Sequence, residues 1–339
     1  MNLATTYLGL HLKNPLIASS SPLTGDLDNL RRLEDSGAAA VILPSIFEQQ
    51  EDDDGAEYER WTGGRAEQPL EVQPRLLSDA GPHRYLELIR RAGDALGIPV
   101  IASLNGVTDR GWTEYATLIE QAGADALELN TFTVPADVAL DGRTVEQRQL
   151  AVLRQVKAVV RLPIAIKLSP YFSAVGDMVR QLDRAGADGF VLFNRFYQPD
   201  IDLGTMRMRR DLDLSTPAEI RLPLLWTGVL AGQVRGSLAA TTGVHSAVQV
   251  VKYLLAGADV VMTSSALLRY GADHMRTILN DLTDWLAARD ATGIGDIRGI
   301  MSRDRLSDPA VFERADYVGI LNAWQDSSAA HAISPGDAA

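Results

Sequence analysis

The chain has 339 residues, 46% of them hydrophobic and 22% charged, with a formal net charge of -12 and no cysteine. That length and composition suffice for a large buried core in one large or two moderate domains. The lack of cysteine excludes disulfides, thiolate metal sites, cysteine-ligated iron-sulfur clusters and a cysteine nucleophile within the chain, and the acidic balance argues against a nucleic-acid partner. Any redox chemistry must then come from a bound organic cofactor. No apolar run approaches the roughly 20 residues of a membrane span. The start, Met1-Asn2-Leu3-Ala4-Thr5-Thr6-Tyr7, lacks the basic-then-apolar layout of a secretion signal. The expectation is a cytoplasmic protein with no membrane partner.

One short phrase recurs along the chain: Ser36-Gly37-Ala38-Ala39, Ala122-Gly123-Ala124-Asp125, Ala185-Gly186-Ala187-Asp188 and Ala256-Gly257-Ala258-Asp259. Each is followed by an apolar run, so each reads as a glycine-closed helix end leading into a strand buried on both faces. Strands are predicted at 15–19, 39–45, 99–104, 126–130, 164–168, 189–194, 237–241 and 260–264. Helices are predicted at 26–36, 84–96, 112–122, 144–160, 174–185, 246–256 and 273–289. Strands alternating with helices in this number predict a closed (β/α)8 barrel, a TIM barrel, and no strand opens a GxGxxG turn. A single domain over 1–325 and a disordered tail over 326–339, rich in Ala, Ser, Gly and Pro, are expected.

Two connections exceed simple strand-to-helix links. The one after strand two, 46–81, carries Glu51-Asp52-Asp53-Asp54, read as a solvated run, and Trp61-Thr62-Gly63-Gly64. The one after strand six, 195–236, holds Met206-Arg207-Met208-Arg209-Arg210 and Leu224-Leu225-Trp226-Thr227-Gly228. Both are expected to run over the barrel mouth as lids or binding loops.

In such a barrel the chemistry sits at the C-terminal ends of the strands. Those ends offer Ser19-Ser20-Ser21, Asn105, Asn130, Lys167, Asn194-Arg195, Thr242-Gly243 and Ser264-Ser265, without a histidine or carboxylate cluster. This set disfavours a metal hydrolase and a two-carboxylate glycosidase, since Glu128 falls inside strand four. Asparagines with both donor and acceptor suit a flat polar heterocycle. Thr242-Gly243 and Ser264-Ser265 could present backbone N–H groups to a phosphate, although each also reads as ordinary helix capping. Lys167, closing Leu162-Pro-Ile-Ala-Ile-Lys167, must be paired, solvated at a cleft or used on a ligand, because burying it alone costs several kcal/mol. No acid or base partner for it is assigned from the sequence. His245 is read as a helix-start residue, His83 as part of the lid and His274 as helical.

Over roughly residues 1–290 the chain resembles the dihydroorotate dehydrogenase family of FMN-binding (β/α)8 barrels. The resemblance rests on Leu10-His11-Leu12-Lys13-Asn14-Pro15-Leu16-Ile17-Ala18-Ser19, on Ile166-Lys167-Leu168-Ser169-Pro170-Tyr171, and on Asn130, Asn194, Thr242-Gly243 and Ser264-Ser265. It implies FMN as cofactor, with Ala18, Ser19, Ser20, Asn105, Asn130, Lys167, Asn194, Thr242, Gly243, Ser264 and Ser265 around it. It further implies Lys167 beside the flavin ring, Thr133 at the position of the family's catalytic cysteine or serine, and substrate contacts from Asp79, Asn130, Asn194 and Arg195. The departures are Thr133-Val134-Pro135 where the family has Cys/Ser-Pro-Asn, Pro44 for a lysine, and Asp79 for a substrate-binding asparagine. A carboxylate at position 79 would repel a substrate carboxylate.

The implied activity is FMN-dependent oxidation of a CH–CH bond: dihydroorotate to orotate in pyrimidine biosynthesis, or oxidation of another small polar cyclic or unsaturated substrate. A soluble electron acceptor and a possible homodimer go with it. Two alternatives stay open, a Schiff-base aldolase barrel using Lys167 and a flavin-binding barrel without turnover.

Overall fold

The repeated helix-to-strand phrase sets the architecture. Gly37, Gly123, Gly186 and Gly257 all have positive φ, between 92° and 116°, and each closes a helix ahead of a barrel strand. In three of the four phrases the following aspartate accepts a hydrogen bond from the N–H that starts the preceding strand: Asp125 from Val100 (2.7 Å), Asp188 from Ile164 (2.8 Å) and Asp259 from Leu238 (2.8 Å). The first phrase has Ala39 there, and Asn14 takes over, accepting from the Leu16 N–H while donating to the Gly37 carbonyl. Each acid thus stitches its own strand to its neighbour at the base of the barrel.

The computed structural model describes residues 1–47, 81–106, 108–131, 134–195, 199–209, 213–312 and 322. After an N-terminal hairpin, β1 (Thr5–Tyr7) and β2 (Leu10–Leu12), the barrel strands are β3 (Leu16–Ala18), β4 (Ala40–Phe47), β5 (Val100–Asn105), β6 (Ala126–Asn130), β7 (Ile164–Leu168) and β8 (Gly189–Leu192). A ribbon of β9 (Asp200–Asp202) and β10 (Arg207–Arg209) intervenes before β11 (Ser237–Ala240) and β12 (Val260–Thr263) complete the barrel. All barrel pairings are parallel, and β11 pairs with both β8 and β12 to close the ring. The predicted (β/α)8 barrel is therefore present, with all eight predicted strands in it.

The helices are α1 (Leu27–Asp35), α2 (Gly81–Ala95), α3 (Asp109–Ala122), α4 (Gly142–Val159), α5 (Val175–Arg184), α6 (Arg221–Leu230), α7 (Ala247–Ala256), α8 (Ser265–Tyr270) and α9 (His274–Ala287). Two departures from the sequence reading stand out. The connection after strand six is not one loop, because α6 lies in it and packs against the barrel and α7. His83, expected in the lid, lies in the first turn of α2. His274 opens α9, as read, and His245 lies just before Ser246, the N-cap of α7. The acidic run, Trp61-Thr62-Gly63-Gly64 and the tail over 326–339 lie outside the described residues.

Two apolar layers hold the barrel. Side chains on the outer strand faces pack beneath the helices, and a second cluster fills the interior with Ile17, Ile42, Ile101, Val191, Val260 and Met262 among others. The N-terminal hairpin plugs the bottom, inserting Tyr7 and Leu8, which are nearly fully buried. Gly189 makes room for this plug, since a Cβ there would lie 2.6 Å from Leu8 Cδ2. With its base plugged in this way, the barrel has a cavity at the C-terminal ends of its strands.

Candidate active site

Strand parity decides which side chains meet inside the barrel. On β6, Ala126, Glu128 and Asn130 share the inner face. In register, Ser103 of β5 lies opposite Glu128, and Lys167 of β7 lies opposite Asn130. Lys167 Nζ reaches back to Glu128 Oε1 at 3.4 Å, with the lysine side chain 12% exposed and the glutamate 0%. Ser103 Oγ donates to the same oxygen at 3.3 Å. Its single hydroxyl hydrogen being used there, Ser103 must accept from Ser45 Oγ at 2.8 Å. Asn130 Nδ2 donates to Ser45 Oγ (3.0 Å) and Asn194 Nδ2 to Asn130 Oδ1 (2.8 Å). A directed chain of donors thus runs from Asn194 through Asn130, Ser45 and Ser103 to the Glu128 carboxylate. Burial, then the charges of Glu128 and Asp259, raise Tyr7 well above the ordinary phenol value, so the plug presents a neutral phenol to the interior.

Above this layer lies a cavity of about 380 Å³. Ser19, Ser20, Lys167, Asn194, Arg195, Thr242, Gly243, Ser264 and Ser265 line it, all of them residues singled out by the sequence. Ala18 is fully buried and packs in the layer under the helices, and Asn105 and Asn130 sit at strand ends outside the lining, Asn130 touching it through Asn194. Asp79 and Thr133 lie outside the described residues. Among the described residues no group of three or more His, Asp or Glu is placed to hold a metal ion.

The two loops expected to face a phosphate are adjacent in this cavity. Thr242 and Gly243 both have positive φ, 78° and 73°. The Tyr253 hydroxyl lies against the Thr241 and Thr242 carbonyls (3.0 and 2.9 Å), pinning the turn from behind. A Cβ at Gly243 would sit 2.8 Å from the Thr216 carbonyl oxygen, because the chain around Ser215 docks directly on this turn. Ser215 Oγ donates to Ser265 Oγ (2.9 Å), the Gly243 N–H bonds Ser215 Oγ (3.3 Å), and the His245 ring Nε2 lies 2.7 Å from the Ser215 carbonyl. One serine from the long connection therefore ties both loops together.

Sequence reasoning missed two parts of this arrangement. The cation at position 167 has a buried partner, Glu128, where none was assigned; the available signal was parity, since Glu128 lies two residues before the inward Asn130. The wall formed by Asp213, Leu214 and Ser215 was also missed, because nothing local marks a coil segment that docks by side-chain hydroxyls. Arg195 is braced by this same connection. Its Nε lies 2.8 Å from Glu219 Oε1 and its Nη1 donates to the Asp213 carbonyl. Burial works against ionisation of Glu219, but bonds from Arg195 and Thr216 hold its carboxyl below the usual range.

A scan against models of protein families finds no match. Searches of characterised sequences do find relatives. The catalytic subunit of dihydroorotate dehydrogenase B (NAD(+)) of Thermoplasma acidophilum is 25% identical over 319 residues, 89% of this chain and 99% of that protein. A putative dihydroorotate dehydrogenase A (fumarate) of Aeropyrum pernix is 26% identical over 307 residues, 89% and 98% of the two chains. The chain is similar over most of its length to the dihydroorotate dehydrogenases. The corresponding B-type catalytic subunit of Pyrococcus abyssi is 27% identical over 304 residues, 88% of this chain and 98% of that one. Coverage of nearly the whole of each relative means that the homology extends through the barrel rather than resting on one motif. No helix among the described residues is long and apolar enough to cross a membrane.

Proposed function

We propose that the cavity holds FMN and that the chain is a cytoplasmic FMN-dependent oxidoreductase acting on a CH–CH bond. Its substrate is dihydroorotate, or another small polar cyclic or unsaturated compound. The observation that carries this reading is the shared lining of one cavity by Lys167, Asn194, Thr242-Gly243 and Ser264-Ser265. The residues fit such a group. A volume of about 380 Å³ falls in the usual range of small-molecule and cofactor sites, roughly 300–1,000 Å³. The two loops bring the Thr242, Ser264 and Ser265 side chains to the cavity, suited to a phosphate, and Lys167 and Asn194 bring a cation and an amide, suited to the polar edge of a ring.

When bound, FMN supplies a two-electron acceptor for a hydride. The chain's own residues do the rest. Lys167 holds positive charge at the cavity floor, where it stabilises negative charge that develops next to it. Asn194 orients what lies on that floor, and the sealed base of the barrel keeps water from entering below. Thr133 is the proposed proton acceptor and Asp79 a proposed substrate contact. The Schiff-base alternative is disfavoured by one observation: the buried Glu128 carboxylate engages the Lys167 nitrogen, whereas a Schiff base needs that amine free.

The test is anaerobic mixing of the FMN-loaded protein with dihydroorotate. Loss of the flavin's visible absorbance is the expected outcome, followed by its return on adding a soluble acceptor, with NAD and fumarate compared side by side. Protein that is photoreduced and reoxidised normally, yet is not bleached by dihydroorotate, would assign a different substrate. Failure of reoxidation by every acceptor would favour a flavin-binding barrel without turnover.

A further inference from the structure

Glu128 is expensive where it stands. Its side chain has no exposed surface, its cross-strand neighbours are Ala165 on β7 and Ser103 on β5, and an apolar cluster fills the barrel interior. Removing a carboxylate from water costs several kcal/mol even after relaxation. The compensating contacts, from Lys167 Nζ and Ser103 Oγ, both fall on Oε1, while Oε2 has no hydrogen-bond partner among the described residues. Packed apolar residues could replace Glu128 and Lys167 together without loss to the barrel, since whole buried ion pairs are often replaced by hydrophobes without loss of stability. Packing therefore does not account for the acid. What the acid does contact is the cation of the cavity floor directly, and the cavity-lining Asn194 through the donor chain.

We propose that Glu128 is a positioning residue for Lys167: it fixes the ammonium beneath the cavity and offsets part of its charge, so that the floor a ligand meets is less positive than Lys167 alone would make it. The proposal rests on the FMN reading above. Its consequence there is that Glu128 holds the potential of the bound flavin down, which keeps reduced flavin able to pass its electrons on. Lys167 alone would favour the reduced state. The chain from Asn194 reinforces this, because donors aligned toward one carboxylate stabilise its charge cooperatively.

The test is the midpoint potential of the FMN-loaded protein for wild type, Glu128→Gln, Lys167→Met and the double variant. Glu128→Gln keeps the shape and is expected to shift the potential to more positive values and to slow reoxidation. Lys167→Met is expected to shift it the other way, with the double variant between the two. A Glu128→Gln protein that binds FMN at the wild-type potential overturns the proposal, because a merely structural acid would alter stability and leave the potential in place. Should Glu128→Gln fail to fold, Glu128→Asp withdraws the carboxylate by one methylene, and a smaller positive shift supports the proposal while no shift contradicts it. Wild-type protein that takes up no FMN overturns the flavin reading separately. The pair is then read from melting temperatures of the flavin-free single and double variants, where non-additive losses support the pairing and additive ones overturn it.

Discussion

Lys167→Ala is expected to slow anaerobic reduction of the FMN-loaded protein by its substrate roughly 10²- to 10³-fold, the usual effect of deleting one preorganised stabiliser of developing charge. The substitution also orphans Glu128, whose burial is complete. Breaking a buried pair from one side typically costs about 3–5 kcal/mol, so a fall in melting temperature is expected with it. The two effects separate in the double variant with Glu128→Gln. Removing the stranded carboxylate should recover much of the stability and little of the reduction rate. Stopped-flow absorbance and thermal unfolding on the same preparations check both halves; recovery of the rate together with the stability would mean that Lys167 acts through folding alone.

Gly243→Ala tests the phosphate side of the cavity. Gly243 sits at φ 73° with the Thr216 carbonyl oxygen 2.8 Å and the Ile220 nitrogen 3.1 Å from where a Cβ would stand. Left-handed backbone costs a non-glycine residue roughly 1–2 kcal/mol. The clash adds a displacement of the Ser215 segment, which bridges both loops. FMN affinity measured by fluorescence titration should fall at least about tenfold, equivalent to 1.4 kcal/mol. Gly123→Ala is the control: Gly123 has φ 92° and nothing within 4 Å of a Cβ, so it should lose a similar increment of stability while FMN affinity stays unchanged.

The barrel was legible because parallel strands covered on both faces read as short apolar runs, and because left-handed glycines punctuate them at regular intervals. The same phrase hid its second meaning. That Asp125, Asp188 and Asp259 each bond the start of the strand before them depends on strands brought together by folding. Helix α6 escaped detection because Pro223 and Gly228 look like breakers, yet Pro223 stands in the first turn, where its missing N–H would have had no partner in the helix. The N-terminal hairpin turns on Leu8 and Gly9, both with positive φ, and leucine gives no turn signal of the kind Asn-Gly would.

The site shows the same division. Lys167, Asn194 and the two small-residue loops were readable because strand ends in this fold face one mouth. Ser215 was not, since its contribution is made by docking a coil segment across 28 residues of sequence onto Gly243 and across 50 onto Ser265. Glu128 lay between these cases. Its inward parity was available, but the reach of Lys167 back down the barrel, rather than up into the mouth, is a rotamer that sequence does not specify.

The measurement that bears most directly on the whole account is equilibrium titration of flavin-stripped protein with FMN, followed by flavin absorbance and fluorescence. Saturable binding at close to one FMN per chain, weakened by both Lys167→Ala and Gly243→Ala, is the predicted result, because those residues line one cavity. A folded protein that shows no saturable FMN binding, or binding indifferent to both substitutions, would contradict it.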